Sequence, residues 1–577
     1  MGACYHRKPM VGEILVDTDV PNKHTELLQI GYTLNDGEES RSFLSQELLS
    51  PYSFEKGWQE WKQLGGNVYF DRTSEGKNNI QYSLKAIVSK KDSICGIQIR
   101  DSLSFPVFKG DEYIFKGKAY SKGLSTIEVS LVKDSIGTPL SPTISIRPSN
   151  DWNEVTARLK VQENSEKASL RLVFKTRDEG QTLTSDSLRT FIPQTASVYL
   201  TSPTLKLNQA DTTSGSPLSP SLVQLLTDLE PSFLRYPSGN QTHNAFPMFL
   251  DSLMKIEKKK PSTLSYKQFI KLSKKMSAIP ILMTDAGYNT KPTYYSQLVR
   301  QINDQNVILQ LGYNSEGIQY FYRAHAIVQQ LEEDSLQFHI INSGSILPFR
   351  KFSDYPYDRA LSPVKFEELP QLDSLIRAHD FLAEPQLLGE VYFQDSTSHQ
   401  YSVPPLVLRA AFLVLAERNS QYLEGIGVAP LLSSHTDKEY PLILVSGGHY
   451  QPSEFYQYIQ LFSTLRGENL KGTPSNEPFE DGLILSLSAD SDGANYYLKA
   501  VNTTRHPLPF LVKLKGRKTK FSSATIHSFT IGNDSISENY RGRQYHLYSE
   551  DIKINMRQRF DYEFKPFEIA IFHFKQE

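Results

Sequence analysis

Polar and charged side chains follow several short apolar segments in the middle of the chain, where they could do chemistry together. They are Arg235 and Asn240 at the end of segment 233–236, Asp285 after 279–283, Tyr313, Asn314 and Glu316 after 307–311, and Glu390 and Tyr392 after 386–389. Arginine, asparagine, tyrosine and single carboxylates are donors and acceptors for hydroxyl groups. This set of residue types therefore indicates recognition of a polyhydroxylated ligand.

Motifs for several other chemistries do not occur in the sequence. No glycine-rich phosphate loop opens a helix, no His/Cys/Asp cluster has the spacing of metal ligands, and no Gly-x-Ser-x-Gly elbow is found. The two cysteines, Cys4 and Cys95, are too few for a disulfide framework or a thiolate zinc site. We therefore expect neither a metal nor a cofactor.

Helical and strand patterns alternate along the stretch that carries these residues. Helices are predicted at 221–229, 264–277, 293–303, 317–333, 363–382 and 404–420, and each is followed by a short apolar strand, the last one at 422–428. Strands that alternate with helices of this length indicate parallel βα units. Their number favours a (β/α) barrel of the TIM type, in which functional residues lie at the carboxyl ends of the strands.

The flanking regions have a different, all-β pattern. Segments with period-2 alternation run from about 51 to 208 and again from 441 onward, which predicts two antiparallel β-sandwiches. The predicted class is α/β plus all-β. The predicted domains are 1–50 with the first barrel strand, an inserted sandwich at 51–208, a barrel at 209–435 and a C-terminal sandwich at 436–577.

Composition limits the partners and the location. The 577 residues contain 62 Lys plus Arg and 64 Asp plus Glu, and this near balance argues against a nucleic-acid binder. No apolar run reaches the ~20 residues needed to span a bilayer. Gly2-Ala3-Cys4 resembles the end of a bacterial lipoprotein signal, which predicts a lipid anchor at Cys4 and a periplasmic or surface location. An incidental cysteine is the alternative, and it leaves a cytoplasmic location open.

Three motifs give the chain a specific resemblance. They are Ala-Ala-Phe-Leu-Val-Leu-Ala-Glu-Arg-Asn-Ser at 410–420 with Gly-Val-Ala-Pro-Leu at 427–431, Leu-Glu-Pro-Ser-Phe-Leu-Arg-Tyr-Pro-Ser-Gly-Asn at 229–240, and Leu-Gly-Glu-Val-Tyr at 388–392. The chain resembles the family 51 glycoside hydrolases, which are retaining α-L-arabinofuranosidases, over nearly its whole length. Region 51–208 is similar to the carbohydrate-binding type of module that some members insert after the first barrel strand.

The resemblance implies an exo-acting retaining hydrolase of arabinose-containing glycans, with two carboxylates about 5 Å apart. Glu390 matches the nucleophile, and the family is often oligomeric, which implies a homo-oligomer. The substrate-binding residues would be Arg235, Asn240, Asn35, Asp285, Tyr313 and Tyr392.

The sequence departs from the family pattern where the acid/base glutamate should be. Asn314 occupies that position, and an amide does not titrate in the useful range. Glu316 is a substitute only if the loop doubles back, since two residues along a strand span roughly 6–7 Å. Asp285 is another available carboxylate, but a turn-capping role is the simpler interpretation. The family's substrate-binding glutamate after the first strand is replaced by Asn35.

A second departure concerns the barrel itself. The stretch from 342 to 386 is short for the units that it should contain, so we expect a compressed or incomplete barrel with at most a short remnant strand in 343–358. Three functions stay open: an arabinofuranosidase-like hydrolase with impaired or relocated acid catalysis, a non-catalytic glycan-binding pseudoenzyme of a polysaccharide-utilisation system, and a structural partner in a surface polysaccharide assembly.

Overall fold

The structure is a computed structural model, and it describes residues in each of the four predicted domains. The described residues are 12–17, 27–34, 48–49, 54, 57–71, 82–89, 94–123, 125–133, 137–176, 195–208, 218–237, 264–284, 291–304, 306–312, 318–336, 338–343, 357–358, 365–378, 386–391, 393, 403–433, 440–467, 469–470, 482–515, 521, 523–531, 545–554 and 558–576. Strands and helices are numbered below in chain order.

Eight parallel strands close a barrel in the middle of the chain. They are β2 (Gln29–Thr33), β14 (Phe233–Tyr236), β15 (Ile279–Thr284), β16 (Ile308–Leu311), β17 (His339–Ser343), β18 (Tyr357–Asp358), β19 (Gln386–Val391) and β20 (Leu423–Val428). The strands are adjacent in chain order, and β2 closes the ring between β20 and β14. The predicted α/β architecture is confirmed at this level.

Between β17 and β19, the described residues contain one short strand of the barrel. β18 has two residues and pairs with β17 through Asn342 and Tyr357, and with β19 through Asp358 and Leu387. The eight-stranded ring is therefore closed, but at β18 it is held by far fewer ladder hydrogen bonds than elsewhere. A two-residue strand is too short to show the alternation from which a strand is predicted.

Seven α-helices are described, and five of the six predicted ones have ends within two residues of the prediction; the helix predicted at 363–382 is described over 369–378. They are α1 (Pro220–Asp228), α2 (Tyr266–Lys275), α3 (Pro292–Ile302), α4 (Ile318–Glu333), α5 (Leu369–Ala378), α6 (Pro405–Arg418) and α7 (Glu454–Thr464). Local chemistry explains two starts: Ser265 and Gln268 form a capping box before α2, and the Ser453 hydroxyl accepts from the Tyr456 N–H before α7. None of the described helices is long and apolar enough to cross a membrane.

Small residues let the barrel close around an aromatic ring. Phe233 in β14 is buried, and it pairs with Gly31 of β2. A Cβ on Gly31 would lie 2.3 Å from atoms of the Phe233 ring, and one on Gly425 of β20 would lie 3.1 Å from it. Glycine at both positions therefore makes room for Phe233 where the first and last strands meet.

The segment between β2 and the first barrel helix forms two antiparallel sheets. One contains β3 (Trp61–Gly65), β6 (Gly96–Ile99), β7 (Phe105–Val107), β9 (Ser125–Val132), β10 (Ile144–Ile146) and β12 (Ser165–Thr176); the other contains β4 (Asn67–Asp71), β5 (Ser83–Ser89), β8 (Glu112–Lys122), β11 (Asn153–Lys160) and β13 (Thr195–Leu207). Alternate side chains of both sheets, among them Trp61, Phe115 and Phe174, share one hydrophobic core.

The C-terminal region also has two sheets with a common core. One has the order β24 (Asn469–Leu470), β25 (Leu483–Ala489), β26 (Asn495–Asn502), β31 (Ile569–Lys575), β28 (Ser523–Ile531) and β29 (Tyr545–Lys553). The other contains β1 (Gly12–Asp17), β27 (Leu508–Lys515) and β30 (Arg559–Phe564). The first strand of the chain thus pairs with the C-terminal region, whereas the second belongs to the barrel.

The contacts divide the chain into two compact units. One comprises residues 1–35, 222–444 and 452–577, which hold the barrel and the C-terminal sheets; the other comprises residues 36–221 and 445–451. Strands β22 (Ile443–Ser446) and β23 (His449–Pro452) form a hairpin, and its tip, residues 445–451, belongs to the second unit. The first two residues of β22 belong to the first unit, where they pair with β21 (Leu432–Ser433). In the second unit, the Tyr113 hydroxyl donates to the Gly447 carbonyl at 2.8 Å.

Helix α6 joins the barrel to the C-terminal sheet within the first unit. Every residue from Leu406 to Glu417 is buried, and the helix packs against β25 and β26. Near its end, Glu417 forms an ion pair with Lys499 of β26, and the Ser486 hydroxyl of β25 donates to the other carboxylate oxygen at 2.5 Å. Burial lowers the pKa of Lys499, while Glu417 favours its charged form.

Breaking this ion pair should destabilise the first unit strongly. We expect Lys499→Met to cost about 3–5 kcal/mol, because it leaves Glu417 buried without its cation, and the double variant Glu417→Leu/Lys499→Met to cost less than the two single changes together. Lys513→Met is the matched control, since its partner Glu13 is about half exposed. Calorimetric melting of the full chain measures the stability of Lys499→Met, Glu417→Leu, the double variant and Lys513→Met. Equal losses of stability for Lys499→Met and Lys513→Met would contradict a stabilising role for the buried ion pair.

Candidate functional site

The carboxyl end of the barrel carries two of the residues expected in the site. Counted from β2, Arg235 lies in the second strand and Glu390 is the penultimate residue of the seventh, where the backbone register with β20 is irregular. The Glu390 side chain is outside the described part of the structure. The other expected site residues, Asn35, Asn240, Asp285, Tyr313, Asn314, Glu316 and Tyr392, also lie outside the described residues.

Arg235 is fully buried in the barrel. Its Nη2 donates to Oε1 of Gln310 in the fourth strand at 2.6 Å, and its carbonyl accepts from the Leu34 N–H at 2.8 Å. The first bond holds the guanidinium across β15, and the second fixes the end of β2. Because an amide is a neutral acceptor, the Gln310 contact satisfies a donor of Arg235 without neutralising its charge.

Gln310 also fixes the end of the fourth strand. Its Nε2 donates to the Gly312 carbonyl at 3.4 Å, and its own carbonyl accepts from the Thr284 hydroxyl at 2.8 Å. The Tyr320 hydroxyl donates to the Leu311 carbonyl at 2.6 Å. The chain therefore enters segment 313–317, which carries the three expected site residues Tyr313, Asn314 and Glu316, from a rigid position.

Polar residues lie on the interior face near the carboxyl ends of the first, second and fourth strands. Thr33, Arg235 and Gln310 are all buried, and Thr33 pairs with Arg235 in the β2–β14 register. The Thr33 hydroxyl has no hydrogen-bond partner among the described residues. Apolar side chains border them, since Ile281 is in register with Arg235, and Met283 and Ile341 are in register with Gln310. A polar patch bordered by apolar side chains suits a small ligand that presents hydroxyl groups at one face.

Sequence reasoning missed Gln310 and Thr33. The available signal was the period of two along each strand, which places Gln310 on the same face as Ile308, and Thr33 on the same face as Gly31. Short strands of four or five residues give that signal little weight.

The motif at 410–420 has an architectural role. Glu417 binds Lys499, as described above, and the Asn419 side chain donates to the Asp373 carboxylate of α5 at 2.7 Å and to the Leu415 carbonyl at 2.9 Å. These polar residues hold α6 in place and lie outside the barrel. The described residues contain no group of three or more His, Cys, Asp or Glu side chains placed to hold a metal ion.

Comparison with known proteins supports both parts of this architecture. The family model of a carbohydrate-binding domain matches residues 46–181. An arabinose-bound α-L-arabinofuranosidase of family 51 aligns with a TM-score of 0.72 and 16% identity over 98% of this chain and 100% of its own. The arabinofuranosidases of Thermotoga maritima and Thermotoga petrophila align with TM-scores of 0.49 and 0.47, identities of 17% and 16%, and coverage of 63% of this chain and 92% of theirs. No curated protein matches the sequence.

The first of these alignments establishes a shared fold over nearly the whole chain. The resemblance inferred from the motifs is thereby confirmed for the fold, and the inserted carbohydrate-binding domain is confirmed by a family model of its own. At 16% identity this likeness concerns the fold alone.

The Arg235–Gln310 contact should be important for stability. We expect Gln310→Leu to destabilise the chain by about 1.5–3 kcal/mol, because it removes the acceptor of a buried guanidinium donor. Gln310→Glu keeps an acceptor and should retain more stability than the leucine variant. Urea denaturation followed by tyrosine fluorescence tests both, and a leucine variant as stable as the parent would show that Arg235 does not depend on this bond.

Proposed function

We propose that the chain is an α-L-arabinofuranosidase-like glycoside hydrolase with impaired acid catalysis, which acts on terminal arabinose of a polysaccharide or oligosaccharide. The single observation that carries the proposal is the alignment with an arabinose-bound arabinofuranosidase over 98% of the chain. The family model of a carbohydrate-binding domain supports a glycan ligand independently. We interpret the two sheets of the inserted region as one β-sandwich and the two sheets of the C-terminal region as another.

The strand order supports the roles proposed for the two key positions. Asn314 follows the fourth strand, and Glu390 lies near the end of the seventh. In the eight-stranded ring these strands are three positions apart, and the carboxyl ends of parallel strands lie at one end of the barrel. This placement suits a sugar held between a nucleophile and a proton donor.

Glu390 is the proposed nucleophile of a retaining reaction. Its carboxylate attacks the anomeric carbon and forms a glycosyl-enzyme, while the leaving oxygen departs as an anion that takes its proton from water or from a nearby carboxyl. Water then attacks the same carbon, loses its proton to solvent and frees the Glu390 carboxylate, so the sugar leaves with its anomeric configuration retained. The buried Arg235 supplies a fixed positive charge and hydrogen-bond donors at the same end of the barrel. Asn35, Asn240, Tyr313 and Tyr392 are proposed to bind the hydroxyl groups of the sugar.

Proton transfer is the weak step of the proposed mechanism. Asn314 can donate a hydrogen bond to the leaving oxygen, but it cannot deliver a proton. Loss of general acid catalysis typically removes a factor of ~10²–10⁴ in rate. Activity then depends on a leaving group that departs without protonation, or on a carboxyl of Glu316 or Asp285 that reaches the site.

The identity of the leaving group should therefore control the rate. We expect hydrolysis of 4-nitrophenyl α-L-arabinofuranoside, whose leaving group needs little protonation, and slower hydrolysis of an alkyl arabinofuranoside by a factor of ~10² or more. Glu390→Gln should abolish both reactions, because it removes the nucleophile. Proton NMR of the first-formed sugar should show the retained anomer.

Asn314→Glu provides the matched test of the impaired acid. This substitution should raise the rate on the alkyl glycoside far more than on the nitrophenyl one, since only the first needs a proton donor. Rapid hydrolysis of the alkyl glycoside by the parent chain that Glu316→Gln abolishes would instead show a relocated acid. A parent chain that turns over neither substrate would refute the hydrolase.

The second candidate function is a non-catalytic glycan-binding protein, and Asn314 is the observation that favours it. A pseudoenzyme of this kind keeps the barrel pocket but needs no proton donor. It predicts that arabinose or an arabino-oligosaccharide raises the melting temperature of the chain, that Glu390→Gln leaves this shift in place, and that neither glycoside is hydrolysed.

We further propose that the chain acts outside the cytoplasm, held by a lipid at Cys4, and that it forms homo-oligomers. The first part rests on Gly2-Ala3-Cys4 alone, since Cys4 lies outside the described residues. The second rests on the habit of the family that the motifs resemble. Metabolic labelling with a radioactive fatty acid, compared between the parent chain and Cys4→Ala, tests the anchor.

A further inference from the structure

The larger C-terminal sheet ends in a strand that is exposed on both of its faces. β29 is the last strand in the order of this sheet, and no described strand pairs with its outer edge. All residues from His546 to Asp551 are exposed. Leu547 and Tyr548, which point to opposite faces, are 43% and 53% exposed. The outer edge therefore presents backbone N–H and C=O groups beside two exposed apolar side chains.

The unequal width of the two C-terminal sheets explains this exposure. Six strands of one sheet lie against only three of the other, β1, β27 and β30. Ile552 of β29 packs against their common core. Because side chains alternate along a strand, His546, Tyr548 and Glu550 lie on the same face as Ile552. These three residues thus extend the core-facing side of the sheet into a part that the described residues leave exposed.

The charged groups of β29 are divided between its two halves. His546 lies in the first half, and the carboxylates of Glu550 and Asp551 lie in the second. An imidazole can donate a hydrogen bond to a carboxylate or carry the opposite charge. An antiparallel pair of identical strands brings the first half of one against the second half of the other. The strand is therefore complementary to a second copy of itself.

The alternation of side chains restricts how two such strands can pair. Directly opposite residues lie on the same face, so a two-fold axis must pass through one residue and not between two. With the axis at Tyr548, His546 lies opposite Glu550 of the second copy, and the two Tyr548 rings meet. An axis at Glu550 would place two carboxylates opposite each other, and an axis at Ser549 would place Glu550 opposite Tyr548. The axis at Tyr548 is thus the one that pairs the charged groups.

We propose that two copies of this chain associate through β29, antiparallel about a two-fold axis at Tyr548. The pairing adds backbone hydrogen bonds along residues 545–551 of each copy and two contacts between His546 and Glu550. It also places Leu547 opposite Ser549 of the second copy. The inference rests on the homo-oligomer proposed above, to which it gives a specific interface, and it does not involve the reaction in the barrel.

Trapping the dimer by a disulfide tests this interface directly. Directly opposite residues of an antiparallel pair have Cα atoms about 4.5–5.5 Å apart, which suits a disulfide. In a Cys4→Ala background the remaining cysteine, Cys95, is buried. Tyr548→Cys in this background should give a disulfide-linked dimer on mild oxidation, because a residue on the two-fold axis meets its own copy. Gel electrophoresis without reductant measures the rate of linking.

Two further cysteine variants serve as controls for this experiment. Ser549→Cys is one residue from the axis and would lie opposite Leu547 of the second copy. Tyr322→Cys is on α4, where Tyr322 is 68% exposed. Both should link several-fold more slowly than Tyr548→Cys. Equal rates for all three would indicate random collision and overturn the interface, and faster linking of Ser549→Cys would overturn the axis at Tyr548.

Charge variants test the contacts beside the axis without a cross-link. Sedimentation velocity of the full chain measures the Kd of the dimer. His546→Glu should weaken dimerisation roughly tenfold, because each dimer then contains two glutamate pairs. Adding Glu550→His to it should return the Kd to within about threefold of the parent value. Gln297→Glu, at an exposed position of α3, adds one negative charge elsewhere and should leave the Kd unchanged.

The outcomes separate this interface from the homo-oligomer itself. A dimer whose Kd does not respond to His546→Glu, or that Tyr548→Cys does not trap, would overturn the β29 interface and leave the homo-oligomer in place. A chain that stays monomeric at every concentration would overturn both. Parent-like melting temperatures in dilute solution verify that each variant is folded, and no result depends on whether the barrel hydrolyses arabinosides.

Discussion

Closure of the barrel by β2 is the constraint on which the rest of the structure depends. The strand Gln29–Thr33 lies far from its neighbours in sequence, yet it pairs with both β14 and β20. It fits because Gly31 and Gly425 leave room for the ring of Phe233. A hydrogen bond also holds the residue just before β2, since the Arg466 side chain after α7 donates to the Leu28 carbonyl at 2.9 Å. Residues 36–221 of the second unit are an insert in the sequence between β2 and β14, which are neighbouring strands of the ring.

The same closure positions the candidate site. The Leu34 N–H that follows β2 donates to the Arg235 carbonyl, and the Arg235 guanidinium reaches Gln310 two strands away. Three of the first four strands are thereby tied together at their carboxyl ends. A barrel that holds these polar residues rigidly suits precise positioning of a small ligand, for which a misplacement of about 1 Å costs much of a catalytic effect. The impairment proposed at Asn314 concerns proton transfer and requires no change in these contacts.

The buried pair of Glu417 and Lys499 shows why the clearest motif need not mark chemistry. Residues 410–420 carry most of the family resemblance, and the structure uses their charged end to join α6 to the C-terminal sheet. An ion pair this deeply buried is costly to assemble and costlier to break. The proposed nucleophile is instead Glu390, whose side chain lies outside the described residues.

The sequence by itself determined the order of the elements, the ends of most helices, and the placement of Arg235 and Glu390 at strand ends, because periodicity, caps and breakers act over a few residues. Tertiary structure decided that β1 pairs with the C-terminal sheet, that β18 closes the ring with two residues, and that Gln310 meets Arg235. It also placed β29 at the edge of its sheet, with Leu547 and Tyr548 exposed on opposite faces. Pairings of this kind depend on register between segments far apart in the chain, and no local pattern encodes that register.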